Sequence, residues 1–387
     1  MLKIVKEFVK TILENRDING SLKHFSLLSK IPHFSCQEQK LEKKSSYKIA
    51  FIVPKIAAYS GGHTSILRLG TYLVDLGHEV YYIAYEDAKR DEMEKNAKIN
   101  LPDYKGTILE KNAVDSSAYD IGIATFWFTC YFLLAYQHCF SYKVYFIQDF
   151  EPYFYPMGDN HLLALHTYSL GFDMISLGRW CKKVIEKSIP HVRVQFVDFP
   201  LELRDYPISK KKIQLNKKIR LAVYFKLDSK RAPFLLLEQL KYLYNHLTKD
   251  GYEVVINFFG SRKINLPVGT NFGKLNHGKI LDLYKNSDFG VVASLTNISL
   301  VNYEMIASGL PVIDFYNGSA PAFFSKREMI FIGFKVSDLY EKVKYHLLHQ
   351  NKLQQILINA QNKLVKEQIN WTNTSEQFNQ LLKVAGS

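Results

Sequence analysis

A chain of 387 residues exceeds one ordinary α/β domain and suits two with extensions. Its 47% hydrophobic content supports large cores, and its 22% charged content is ordinary for a globular protein. No apolar run reaches the roughly 18 residues of a membrane span, and lysines interrupt Leu2–Leu13, which excludes a signal-peptide core. A net charge of +13 suits nucleic acid, an anionic membrane face or nucleotide diphosphates. The lysines are dispersed and no nucleic-acid module is present, so nucleic acid is set aside.

Cys36, Cys130, Cys139 and Cys181 show no paired spacing and no histidine-rich neighbourhood. They read as reduced, mostly buried thiols of a cytoplasmic protein, and no metal site is expected. Residues 1–46 precede the first strand as a basic extension. Leu2, Val5, Phe8, Val9, Ile12 and Leu13 fall on one helical face with Lys3, Lys6 and Lys10 off it. Such a helix suits the inner face of an anionic membrane; packing on the flank of the first domain is the equal alternative.

The first domain, residues 47–205, opens on the unbroken apolar run Lys48–Val53, a buried strand. Gly61, Gly62 and His63 follow, then a helix to Leu76 and a second strand ending near Tyr85. A strand, a glycine loop and a helix form the front of a doubly wound nucleotide-binding unit. His63 either faces a cleft or sits in solvent at the helix start. A strand is expected at Tyr119–Thr125 and an aromatic helix around Phe126–Tyr136. The strand ending at Ile147 leads into Gln148, Asp149 and Glu151, polar residues where open α/β sheets place ligands. We expect a functional Asp149 there, with a solvated turn before Pro152 as the plain alternative; Glu151 is left open. Met174–Arg179 and Trp180–Lys187 read as the domain's last strand and helix. Residues 206–218 form the linker, with Lys210–Lys212 and Lys217–Lys218 as solvated charge.

The second domain, residues 219–366, begins with the strand Ile219–Phe225 and runs into Lys226 and Arg231. Glu253–Phe259 is a central strand that ends on Gly260, and Leu275 precedes a further helix. The stretch Val291–Val312 organises the chain: a buried strand, a polar loop through Thr296, then a helix capped by Ser299. The free amides of Leu300, Val301 and Asn302 at the positive end of that helix make an anion site. Glu304 lies one turn in, and Gly309 and Pro311 end the helix. By pattern alone this is an ordinary βαβ crossover. Leu339–Val365 is expected to be helical, and residues 367–387 form a final helix beginning near Trp371.

The Val291–Val312 stretch resembles the donor-binding signature of family-4 glycosyltransferases of the GT-B fold, in which two glutamates bracket such a helix start. Glu304 matches the second, and Thr296 stands where the first would fall, at the position that contacts the donor sugar. Gln148-Asp149 stands at the family's His-Asp pair. The string Tyr145–Pro156 resembles the rhamnosyltransferases that assemble bacterial S-layer and cell-surface glycans. The resemblance implies two Rossmann-like doubly wound domains facing across a cleft, with a C-terminal helix crossing back to the first domain, anchored by Trp371. It implies a nucleotide-sugar donor, dTDP-rhamnose foremost, transferred with retention and without a metal or other cofactor. Lys226 and Arg231 would grip the donor pyrophosphate, Glu304 the ribose, and Leu275 the base, with Gly260 nearby. Gly61, Gly62, His63 and Gln148 would line the acceptor side, where a glycan or lipid-linked glycan binds. Asp149 would orient or deprotonate the acceptor hydroxyl, or the donor phosphate itself would take that proton. A non-catalytic glycan- or partner-binding protein of the same fold is the rival reading, from Thr296 and Gln148.

Overall fold

The structure is a computed structural model describing residues 22, 25–36, 39–367 and 370–384. The expected helix at Leu2–Leu13 lies outside the described residues. The described part of the extension belongs to the first domain's flank. Leu27, Ile31 and Leu41 are buried. The Gln39 side chain also accepts from the Lys143 amide at 2.7 Å and donates to the Lys143 carbonyl at 3.3 Å.

The first domain is a parallel seven-stranded sheet of β1 (Lys48–Val53), β2 (Glu79–Ala84), β3 (Thr107–Leu109), β4 (Tyr119–Ala124), β5 (Phe140–Ile147), β6 (Asp173–Leu177) and β7 (Val194–Val197). Helices α1 (Gly61–Asp75), α2 (Arg90–Asn100), α3 (Trp127–Ala135), α4 (Asp159–His166) and α5 (Arg179–Ser188) connect or flank them. The strand order is β3-β2-β1-β4-β5-β6-β7, so the winding reverses between β1 and β4. β1, β4 and β5 lack polar alternation because helices cover both faces of the sheet. The expected last strand at Met174 is not the edge: β7 pairs in parallel with β6 beyond it. Only four residues long and half exposed, β7 carried no periodic signal.

The second domain is a parallel six-stranded sheet of β8 (Lys218–Tyr224), β9 (Glu253–Phe259), β10 (Thr270–Asn271), β11 (Phe289–Val291), β12 (Val312–Phe315) and β13 (Ile330–Ile332). Its order, β10-β9-β8-β11-β12-β13, reverses between β8 and β11. The helices are α6 (Pro233–Lys249), α7 (His277–Lys285), α8 (Leu300–Ala307), α9 (Asp338–Leu348) and α10 (Gln350–Glu367), with α9 and α10 replacing one expected continuous helix. The linker is less solvated than its lysines suggest. Lys211 is half buried, and its ammonium donates to the Ser287 carbonyl at 2.5 Å and the Lys285 carbonyl at 3.2 Å.

The last helix, α11 (Trp371–Val384), packs on α1 and β7 of the first domain. Phe378 is fully buried against Phe146, ring centroids 5.4 Å apart. The Arg68 guanidinium lies 5.6 Å above the Trp371 ring. Burying one such aromatic stabilises by roughly 1.5–3 kcal/mol, enough to hold the helix against the neighbouring domain.

One buried carboxylate shapes the loop after β11. Asp314 on β12 accepts from the Ser294 amide (2.9 Å), the Phe315 amide (2.7 Å) and the Asn302 side chain (2.8 Å). It therefore ties strand β12, the loop and helix α8 together. Asp314→Ala orphans these buried donors, each worth about 1–3 kcal/mol when left unpaired. A fall in thermal midpoint, together with weakened ligand binding in the cleft, is the expected result of unfolding and titration measurements.

Candidate active site in the interdomain cleft

The carboxyl ends of both sheets face each other across a cleft of about 440 Å³, lined from both domains. Each sheet contributes its point of reversal, where strand ends diverge and leave a crevice. The first domain supplies Gly61, Gly62 and His63 from the start of α1, and Gln148 and Asp149 from the end of β5. The second supplies Lys226, Lys230 and Arg231 after β8, Gly260 after β9, Leu275 before α7, and Ser299, Leu300, Val301 and Glu304 at α8. All expected site residues but one thus line the same cleft.

Thr296 is the exception. It is buried behind the cleft wall, and its hydroxyl donates to Asp149 Oδ1 at 2.7 Å. It acts on the first domain's carboxylate from the second domain, and in this arrangement it meets the cleft through Asp149. The whole 295–299 loop is docked there. The Phe150 amide donates to the Thr296 carbonyl at 2.8 Å. The Asn297 side-chain amide donates to both the Gln148 and the Leu177 carbonyl, each at 2.7 Å.

Lys230 was missed in the sequence because lysine and arginine beside it looked equivalent. Its ammonium pairs with Asp149 Oδ2 at 3.2 Å across the domain junction, with both side chains mostly buried at 18% and 23% exposure. It also lies 4.1 Å above the Phe154 ring. Asp149 therefore has a second-domain partner on each oxygen.

Arg231 reaches back into its own domain. Nη1 donates to the Ala293 carbonyl at 2.8 Å, and the guanidinium sits 5.4 Å over the Tyr224 ring. Its Nε is buried without a hydrogen-bond partner. Such an orphaned donor is costly, and an anion in the cleft would relieve it. The Lys226 ammonium lies 5.5 Å from the centroid of the same ring. Gly260 is required where it stands: φ is +105°, and a Cβ would lie 2.4 Å from the Tyr224 ring.

At α8 the Ser299 hydroxyl accepts from the Val301 amide at 3.4 Å, and the Ser299 carbonyl takes the Asn302 amide at 3.1 Å. The expected trio of free amides is thereby reduced, and the Leu300 amide is the one left for a ligand. The Glu304 carboxylate accepts from the Tyr284 hydroxyl at 3.4 Å and from the linker's Tyr206. Burial pushes its pKa up to about 7, against the lowering effect of those two hydroxyls. A carboxyl raised in this way stabilises the fold fully below its unfolded value near 4.5, and that contribution is lost as pH rises to about 7. Ligand hydroxyls donating to Glu304 need the ionised form, so their affinity rises with pH and levels off above about 7. Glu304→Gln should flatten that dependence and weaken binding; an unchanged slope in a nucleotide titration removes Glu304 from the ligand.

On the facing wall, His63 Nδ1 accepts from the Ala57 amide at 3.1 Å, and burial lowers its pKa, so a neutral ring presents its other nitrogen. The Gln148 amide group packs 3.4 Å from where a Gly62 Cβ would stand. Glu151, left open by the sequence, accepts from the Trp127 amide at 2.5 Å and the Tyr145 hydroxyl at 2.7 Å. Burial pushes its pKa up to about 8. It caps the start of α3 and touches the cleft from behind.

Among the described residues, one group offers several metal-ligand atoms together: Asp115, His138 and Cys139, within 4.8 Å of one another. It sits before β5, at the end of the sheet away from the cleft. Burial and the neighbouring Asp115 push the Cys139 thiol up to about 11, so it stays protonated.

No protein-family model and no curated protein matches the chain. Solved structures do. HepE of Anabaena, in complex with UDP-glucose, is 12% identical with a TM-score of 0.67, covering 87% of this chain and 100% of HepE. A glycosyltransferase from Rickettsia africae is 13% identical with a TM-score of 0.63, covering 88% and 99%. Sucrose-phosphate synthase of Thermosynechococcus elongatus is 12% identical with a TM-score of 0.65, covering 88% and 98%. With the two facing parallel sheets and the returning helix, these likenesses define the fold as GT-B. Among the described residues, no helix is long and apolar enough to cross a membrane.

Proposed function

We propose that the chain is a glycosyltransferase that takes a sugar from a nucleotide-diphosphate donor bound in the cleft. The observation that carries this reading is Arg231, which lines the cleft beside Lys226 and the start of α8 and whose buried Nε has no hydrogen-bond partner. The donor pyrophosphate would take Arg231, Lys226 and the Leu300 amide, and Glu304 would accept from the ribose hydroxyls. As the bond from the anomeric carbon to the phosphate oxygen breaks, charge grows on the leaving diphosphate, and fixed cations stabilise it. The acceptor hydroxyl forms the new bond and gives its proton either to Asp149 or to the departing phosphate. These cations supply the charge stabilisation, so the reaction needs no metal. HepE, crystallised with UDP-glucose on the same fold, supports a nucleotide-sugar donor.

The finer reading is rhamnose from dTDP-rhamnose, added with retention to a growing bacterial surface glycan by a cytoplasmic protein at the inner membrane face. Its support is the Tyr145–Pro156 string and the basic N-terminal extension. The test is a nucleotide-sugar panel read by thermal shift and by donor hydrolysis. A true donor at a hundredfold excess over Kd stabilises by about 2.7 kcal/mol. The engagement of both Asp149 oxygens favours one rival, a binding protein without turnover. Donor stabilisation without hydrolysis or transfer to any glycan would select a binding protein without turnover, and no stabilisation by any nucleotide sugar would refute the donor reading and leave the glycan- or partner-binding rival.

A further inference from the structure

We propose that the second domain carries a separate site for a phosphate group borne on an apolar body, in the hollow between β13, α9 and α10. This inference is independent of the cleft reading, because the two cavities share no residue. The hollow is about 700 Å³. Its rim gathers Lys326, Arg327, Lys342 and Lys352 with one carboxylate, Glu341, which is paired with Lys335; none of the four cations is within ion-pair distance of a carboxylate among the described residues. Adjacent lysines are paired: Lys335 with Glu341 at 2.7 Å and Lys344 with Asp250 at 2.8 Å. Four unpaired cations around one concavity repel each other and focus a positive potential into it. An anion placed there relieves that repulsion.

The floor is apolar, made by Met329, Ile330 and Ile356. His346 lines the hollow at 5% exposure, and its Nδ1 is buried with no hydrogen-bond partner. Burial, helped by the charges of Lys342, His349 and Lys352, pushes its pKa down to about 4. The ring therefore stays neutral and can donate one N–H without adding to the repulsion. A buried polar atom left unpaired in this way calls for a partner. Phosphate oxygens match the cations and the imidazole, and an acyl or other apolar body matches the floor. The source is either an anionic lipid headgroup at a membrane or a soluble phosphate ester.

The test uses the full chain with two probes at fixed ionic strength. Phosphatidylglycerol vesicles are compared with phosphatidylcholine vesicles by co-sedimentation, and glycerol 3-phosphate is titrated by calorimetry. The double variant Lys342→Glu/Lys352→Glu is compared with Lys249→Glu, an exposed charge reversal on α6 of the same domain. All three positions are on the surface, and matching thermal midpoints confirm intact folds. We expect the double variant to lose about tenfold or more in affinity for the probe that binds, while Lys249→Glu stays near wild type. Loss of vesicle binding alone identifies a lipid source, and loss of glycerol 3-phosphate binding alone a soluble ester. The proposal is overturned if the wild type binds neither probe, or if the double variant binds as well as the control. Nucleotide-sugar binding, read in parallel on the double variant, reports on the cleft separately.

Discussion

Replacing Arg231 by alanine is expected to lower kcat by on the order of a hundredfold to a thousandfold, the usual loss on removing one donor from a developing charge. The side chain is held in place before any ligand arrives, by the Ala293 carbonyl and the Tyr224 ring. Its contribution is therefore preorganised, and it strengthens as the diphosphate leaves. An interaction of that kind shows in kcat and not only in KM. Lys226→Ala should lose by a comparable factor. Arg231→Lys should recover part of the loss, because a lysine carries the charge without the forked geometry. Lys217→Ala, exposed over the Tyr252 ring outside the cleft, is the control for net charge. An equal loss in that control would assign the effect to general electrostatics and dissolve the phosphate site.

The second large effect is expected at Asp149. Its carboxylate receives the Thr296 hydroxyl and the Lys230 ammonium, so it joins the two domains at the mouth of the cleft. Asp149→Ala removes both links and any base function, and kcat should fall by roughly a hundredfold to ten-thousandfold. Asp149→Asn separates the roles: its carbonyl oxygen still accepts from Thr296, but it has no charge for Lys230 and no basicity. An Asn variant as slow as the Ala variant, with donor KM intact, marks Asp149 as the proton acceptor. If instead Lys230→Ala reproduces the loss, the residue works by holding the domains together. Retention of near wild-type kcat in the Asn variant would exclude both roles.

Much of the fold could be read along the chain, because parallel strands buried on both faces write themselves as apolar runs. β1, β4 and β5 are of this kind. So are the punctuation marks: Ser299 before α8, Gly260 after β9, and the glycine pair at the start of α1. These signals are local, and a local backbone preference needs no partner from elsewhere in the chain. Short edge strands such as β7 escaped, since four half-exposed residues have no period to detect.

The roles of side chains at the domain junction were decided by the tertiary structure alone. Thr296 and Asp149 are 147 positions apart, yet one hydrogen bond gives the threonine its role. Asn297 spans to carbonyls on the ends of two first-domain strands. Lys230 and Arg231 are neighbours in sequence, and only the turn between them sends one to Asp149 and the other to Tyr224 and Ala293. Sequence by itself determined which residues stand at strand ends, because burial and backbone geometry act residue by residue. Which of those ends face each other, and which charges then pair, depends on how two sheets dock. That docking is a sum over contacts far apart in the chain, and no single stretch encodes it.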